Sequence, residues 1–159
     1  MRTSREFFTV RRVSEALAEF RPARRTQVEP VGLEAALGRV PSVAVAAPHD
    51  LPGFARATVD GYAVRAADTF GASEGLPAYL TLAGSVRMGA RAEVEVAPGA
   101  AVAIPTGGAL PAGADAVVMV EHTHEPMEGA VEVMRPAAPG DGIVRADEDA
   151  AAGAPLVPA

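Results

Sequence analysis

Residues 58–64, Thr58-Val59-Asp60-Gly61-Tyr62-Ala63-Val64, place an Asp-Gly turn pair directly before a short β-type run. Asp-Gly favours a turn because the short carboxylate bonds nearby amides and glycine accepts backbone angles that a Cβ would forbid. Tyr-Ala-Val then suits a pleated, half-buried surface. The pattern of turn and run recurs on both sides. Upstream lie Val43 to Ala47 and the turn-rich stretch Pro48-His49-Asp50-Leu51-Pro52-Gly53-Phe54. Downstream lie Tyr79 to Ala83, Glu93 to Val96, Ala100 to Ile104, Ala116 to Val120 and Val131 to Met134, with turn signals between them at Gly71, Gly84, Gly89, Pro98-Gly99, Gly107-Gly108, Pro111, Gly113 and Gly129. Many short runs divided by Gly and Pro predict a small β-barrel or sandwich.

Before Ser42 the periodicity changes. Val13, Ala16, Leu17 and Phe20 repeat at i, i+3, i+4 and i+7, one face of an amphipathic helix that Arg21-Pro22 should stop. A second short helix is expected through Leu33, Ala36, Leu37 and Val40, closed by Pro41 with Gly38 near its end. Between the two, Gln27-Val28-Glu29-Pro30-Val31 alternates like an edge strand, where a proline is tolerated. The fold class expected is therefore α+β. After Pro136-Ala137-Ala138-Pro139-Gly140 comes a tail, Ile143 to Ala159, too brief to fold alone and expected to return to the first block. Its apolar end, Leu156-Val157, has only begun at the last residue, so a longer protein is expected.

Composition narrows the function classes. At 159 residues and 49% hydrophobic content the chain can build a core, and with 4% aromatics that core must rely on Val, Leu, Ile and Ala. Cysteine is absent, which excludes disulfides, thiolate metal sites and a Cys nucleophile. The first twenty residues alternate Arg2, Arg5, Arg11 and Arg12 with Glu6, Glu15 and Glu19 and contain no apolar segment long enough for a signal peptide or a membrane span, so a cytoplasmic protein is expected. Net charge is −6, with eight Arg against five acids in residues 1–45 and two against eleven in residues 92–159. A nucleic-acid partner needs a basic stripe, and this distribution provides none.

Four groups of residues carry candidate chemistry. Asp60 reads either as an ordinary turn carboxylate or as an outward-facing group that holds a metal ion or orients an oxyanion through a cation or water. Thr106-Gly107-Gly108 reads either as a turn needing positive φ or as an anion cradle of bare amides and one hydroxyl. It is no nucleotide P-loop, because the chain contains no Lys. His122 and His124 stand two apart after an apolar run, as strand-end surface residues or as part of a metal site that lacks further ligands. Asp147-Glu148-Asp149 reads as a solvated loop or a helix start.

Taken together, Ala36-Leu37-Gly38-Arg39-Val40, Leu51-Pro52-Gly53-Phe54, Val59-Asp60-Gly61-Tyr62-Ala63-Val64-Arg65-Ala66-Ala67-Asp68-Thr69, Ile104-Pro105-Thr106-Gly107-Gly108 and Leu110-Pro111-Ala112-Gly113-Ala114-Asp115-Ala116-Val117-Val118, in this order, resemble the molybdopterin molybdenumtransferase family. The resemblance implies an enzyme of molybdenum cofactor biosynthesis that inserts molybdate, or tungstate, into adenylylated molybdopterin and releases AMP. It implies a mixed α/β domain split in sequence, here residues 1–45 plus 141–159, with a β domain, 46–140, inserted in it. A pterin-binding domain and a further β domain would follow. It also implies a homodimer whose cleft lies between the β domain of one subunit and the pterin-binding domain of the other, with Mg²⁺ held mainly by the latter.

Residue by residue, the resemblance assigns catalytic roles to Asp60, Thr106 and Asp149 and cofactor-binding roles to Gly107, Gly108 and Glu121, the last at the end of Val117-Val118-Met119-Val120. Two departures stand out. The family's Asn-Ser-Ala-Met reads Arg56-Ala57-Thr58-Val59 here, and its Arg-Arg-Gly-Glu-Asp reads Arg145-Ala146-Asp147-Glu148-Asp149, so that Asp147 replaces a glycine. The 159 residues alone should be inactive. A dimerisation or interaction module and a standalone small-ligand β domain are the competing expectations.

Overall fold

The computed structural model describes residues 11–20 and 26–159. The chain divides into two compact units, residues 1–42 and 43–159.

In the first unit, α1 (Val13–Glu19) forms where the periodicity predicts it. The Glu15 carboxylate accepts the Arg12 N–H at 3.2 Å, one half of a capping box, and Arg11 pairs with Glu19 along the helix. The expected stop at Arg21-Pro22, like Arg2, Arg5 and Glu6, lies outside the described residues. The second helix is a correction: only Leu33–Ala35 turns, as one 3-10 turn. Gly38 takes φ +80°, off the right-handed path, and so short a segment does not repay the cost of helix nucleation. Gln27 to Val31 likewise forms no strand, since no described residue of this unit offers it a ladder. Arg39 reaches back instead, pairing with Glu29 and donating Nε–H to the Ala35 carbonyl at 3.0 Å.

The second unit carries ten strands: β1 (Val45–Ala46), β2 (Arg56–Ala57), β3 (Gly61–Val64), β4 (Ala78–Ser85), β5 (Ala100–Ile104), β6 (Ala116–Met119), β7 (Thr123–Met127), β8 (Ala130–Val133), β9 (Ile143–Val144) and β10 (Pro155–Val157). Six of them form one sheet in the order β6-β3-β5-β4-β8-β7, antiparallel throughout except for the parallel pair β4–β5. The tail returns to the start of this unit: β9 pairs with β2, and β10 with β1.

Side chains alternate across the sheet and build a core on each face. Tyr62, Val64, Leu80, Ala101, Val118, Val131 and Val133 pack on one side, and Ala63, Val86, Val96, Val102, Ile104 and Val117 on the other. Strand β3, between β5 and β6, is buried at all four residues. That explains why Tyr-Ala-Val reads as a run rather than as an alternation.

The described chain is thus mostly β with one α-helix, and the α content expected of an α+β fold is reduced accordingly. Glu93 to Val96 is a further correction. Its alternation is real, since Val94 and Val96 reach the core, yet Val96 bonds by its N–H to the Ala112 carbonyl at 2.8 Å and joins no strand. Strand β7 escaped the sequence reading because Thr123-His124-Glu125-Pro126-Met127 is polar and contains a proline. It lies at the sheet edge, where a missing N–H costs no ladder bond.

Candidate functional site

Antiparallel register sets Gly61, the first residue of β3, opposite Ile104 at the end of β5 and Met119 at the end of β6. Asp60 before β3, Thr106 after β5 and Glu121 in the 3-10 turn Val120–His122 after β6 are therefore brought to one end of the sheet. Residues 46 positions apart then bond directly. The Thr106 N–H donates to Asp60 Oδ1 at 2.7 Å and the Thr106 hydroxyl donates to the same oxygen at 2.8 Å. The Val120 N–H donates to the Asp60 carbonyl at 3.0 Å, tying the Glu121 turn to the same residue.

The bonds from the Thr106 amide and then its hydroxyl lower the Asp60 pKa below the ordinary aspartate value. Asp60 is exposed, and Oδ2 makes no hydrogen bond with the described residues. The product is an ionised carboxylate held in one orientation with one oxygen open. Because the Thr106 proton points at Asp60, its hydroxyl offers only lone pairs outward. The pair suits an N–H or O–H donor, or a cation.

The reading of Gly107 and Gly108 as an amide cradle is corrected. The Gly107 N–H donates to the Ala57 carbonyl and the Gly108 N–H to the Pro105 carbonyl, both at 2.8 Å. The two glycines shape the turn instead. Gly107 takes φ +81° at the third position of a four-residue turn, and a Cβ on Gly108 would stand 2.8 Å from Ile104 Cγ1.

Asp149 lies on the loop 145–149, which closes on residues 50–52. The Asp149 N–H donates to the Leu51 carbonyl at 2.9 Å and the Asp147 N–H to the Pro52 carbonyl at 3.0 Å. Glu148 accepts the Arg145 N–H at 2.9 Å, so the acid run forms a turn and no helix. No hydrogen bond joins Asp149 to Asp60 or Thr106. Asp147 takes φ 59°, and among the described residues it is the one non-glycine at positive φ. Where the resemblance implies glycine, this chain makes a left-handed turn with aspartate, a residue that tolerates it.

The histidines diverge. His122 closes the 3-10 turn, with Nε2 3.2 Å from Arg135 Nη1, whereas His124 on β7 lies 3.4 Å from Glu132. Among the described residues no three His, Cys, Asp or Glu side chains gather as a metal site.

Sequence reasoning missed two features. Asp68 and Asp115, quoted only within motifs, staple turns: Asp115 Oδ1 accepts the Ala66 N–H at 2.6 Å and Asp68 Oδ2 the Gly99 N–H at 2.8 Å. Beside Asp60, moreover, a groove of about 340 Å³ is lined by residues that include Thr58, Val59, Met119, His122, Arg135 and Asp141. No local motif announces it, because four separate segments assemble it.

Comparison with known proteins now decides the family. Residues 11–159 match the family described as MoeA N-terminal region (domain I and II). The chain belongs to that family. It is 39% identical over 137 residues to the molybdopterin molybdenumtransferase of Bacillus subtilis, covering 84% of this chain and 32% of that protein. It is 41% identical over 123 residues to molybdopterin molybdenumtransferase 2 of Mycobacterium tuberculosis, covering 77% and 30%. The crystal structure of the molybdopterin biosynthesis moeA protein from Pyrococcus horikoshii OT3 superposes with a TM-score of 0.74 at 41% identity, over 81% of this chain and 34% of that one. The chain spans about a third of the length of the curated relatives it matches.

Proposed function

We propose that this chain is the N-terminal part of a molybdopterin molybdenumtransferase, which inserts molybdate or tungstate into adenylylated molybdopterin with release of AMP. The single observation that carries the proposal is the Asp60–Thr106 pair, built at the end of three strands by residues 46 positions apart and left open to solvent. A carboxylate fixed by two donors and kept ionised accepts a hydrogen bond from a ligand without first reorganising, and such positioning lowers a barrier. Asp149 and Glu121 are assigned to the same cleft, which a pterin-binding domain outside these 159 residues completes. Gly107 and Gly108 serve it by shaping the turn that carries Thr106.

The resemblance assigns Mg²⁺ mainly to that other domain. No three His, Cys, Asp or Glu side chains gather as a metal site among the described residues. A domain split between residues 1–45 and 141–159 around an inserted 46–140 is part of the proposal and rests on the resemblance. A homodimer is part of the proposal, supported by the exposed apolar Val13, Leu17, Leu33 and Leu37 of the first unit.

The test is molybdate insertion by a full-length enzyme carrying Asp60→Ala or Thr106→Ala, with AMP release as the readout. Each change should slow insertion on the order of 100-fold, with Thr106→Ser largely restoring it. Normal rates in both alanine variants would refute the assignment. The 159 residues alone should release no AMP.

A further inference from the structure

We propose that the loop after β4 is an oxyanion-binding site beside Thr106, built on Arg87 and Arg91. The proposal rests on the reading of Asp60 and Thr106 above, because it supplies what that pair lacks. The pair is anionic and the amides of its turn are engaged within the chain. A dianion approaching it meets a carboxylate and no donor. A transferase that handles an oxyanion there needs positive charge from elsewhere on the same edge of the sheet.

Strand β4 runs parallel to β5, so the loops that leave the two strands emerge at the same end. The Val86 N–H bonds to the Ala103 carbonyl at 2.8 Å, and a Cβ on Gly107 would stand 3.5 Å from Met88 Cε. Met88, in the loop Arg87-Met88-Gly89-Ala90-Arg91, therefore reaches the turn that carries Thr106. The loop encloses a concavity of about 60 Å³ whose polar lining is Ser85, Arg87, Arg91 and Glu93. Two guanidinium groups against one carboxylate leave a net positive lining. Both arginines are exposed, and neither forms an ion pair among the described residues.

The backbone adds a donor. Gly89 turns the loop at φ +74°, and the Ala90 N–H is used internally, on the Arg87 carbonyl. Among the residues that line the concavity, the Arg91 amide bonds to nothing in the described residues, the reverse of the situation in the Thr106 turn. A free amide beside two guanidinium forks is a donor set suited to a small oxyanion. Size sharpens the assignment. A volume of about 60 Å³ is several times the ~10–15 Å³ that one water needs, yet far below the roughly 300 Å³ of a drug-sized pocket. That volume matches a single tetrahedral oxyanion. For the proposed reaction that oxyanion is molybdate or tungstate, waiting beside the Asp60–Thr106 pair.

Binding to this 159-residue chain tests the site without requiring activity. Calorimetric titration at low salt with molybdate, tungstate, sulfate and phosphate should show binding of molybdate and tungstate at least 10-fold tighter than of the other two. Arg87→Ala/Arg91→Ala should weaken molybdate binding at least 10-fold while leaving the circular dichroism and thermal midpoint unchanged, because both side chains are exposed. Arg87→Lys/Arg91→Lys should retain part of the affinity. Unaltered binding by the double alanine variant, or no binding of any of the four ions at about 10 mM, a level beyond weak affinity, overturns the site. Equal binding of all four overturns its assignment to molybdate. The two proposals fail separately: normal insertion by the Asp60 and Thr106 variants sinks the earlier reading and leaves the binding result standing.

Discussion

At the scale of single residues, Asp60 shows how a neighbour fixes the state of an exposed group. Its folded pKa is depressed, so the stabilisation it draws from Thr106 is present above the ordinary aspartate range and is lost as the pH falls through the lowered value. Thr106→Val removes the hydroxyl donor and keeps the amide. An NMR titration of the Asp60 carboxyl should then show its pKa moving up towards the ordinary value, and an unmoved titration would mean that the hydroxyl contributes nothing. Asp147 gives a second prediction. At φ 59° a residue with an unbonded Cβ is strained, so Asp147→Ala should cost roughly 1 kcal/mol, whereas Asp147→Gly should be neutral or stabilising by a similar amount. Urea midpoints of the two variants measure the difference. The substitution of a family glycine at this position was legible in the sequence. That the turn survives it was not, because backbone angles depend on the bonds from Asp147 and Asp149 to residues 51 and 52.

At the scale of elements, the ribbon β6-β3-β5 decides where the site lies, and one glycine lets it close. A Cβ on Gly61 would stand 1.9 Å from the Val118 carbonyl oxygen, a backbone atom that cannot yield without opening the β3–β6 pair. Gly61→Ala should therefore destabilise the protein by about 3 kcal/mol or more, the upper range for overpacking. Gly75→Ala, with nothing within 4 Å of the added carbon, should change stability by less than about 0.5 kcal/mol. Thermal unfolding of the two variants checks both. Strands made of Val, Ile, Tyr and Ala were legible from their composition, and β5 formed at the expected residues. Strand β7, polar and interrupted by a proline, and the strands β2 and β9, only two residues each, were not, and they pair only because the sheet or the returning tail reaches them.

At the scale of the whole molecule, stability should grade from the centre of the six-stranded sheet outwards. Amides of β3 and β5, buried under both cores, should exchange with solvent more slowly than those of β7 or of the β1–β10 pair, whose residues are mostly exposed. Hydrogen exchange measured by mass spectrometry would expose any departure, and equal protection of β10 and β3 would contradict this grading. The order of turns and apolar runs by itself determined that the chain is β-rich, and the motifs by themselves determined its family, because both are properties of consecutive residues. Only the tertiary structure decided that Asp60 and Thr106 share a proton-bridged contact, that Gly107 and Gly108 have no amides to spare, and that the loop after β4 leaves the sheet at the same end. Strand register and the parallel β4–β5 pairing bring those groups together across tens of residues, and neither can be read from local spacing.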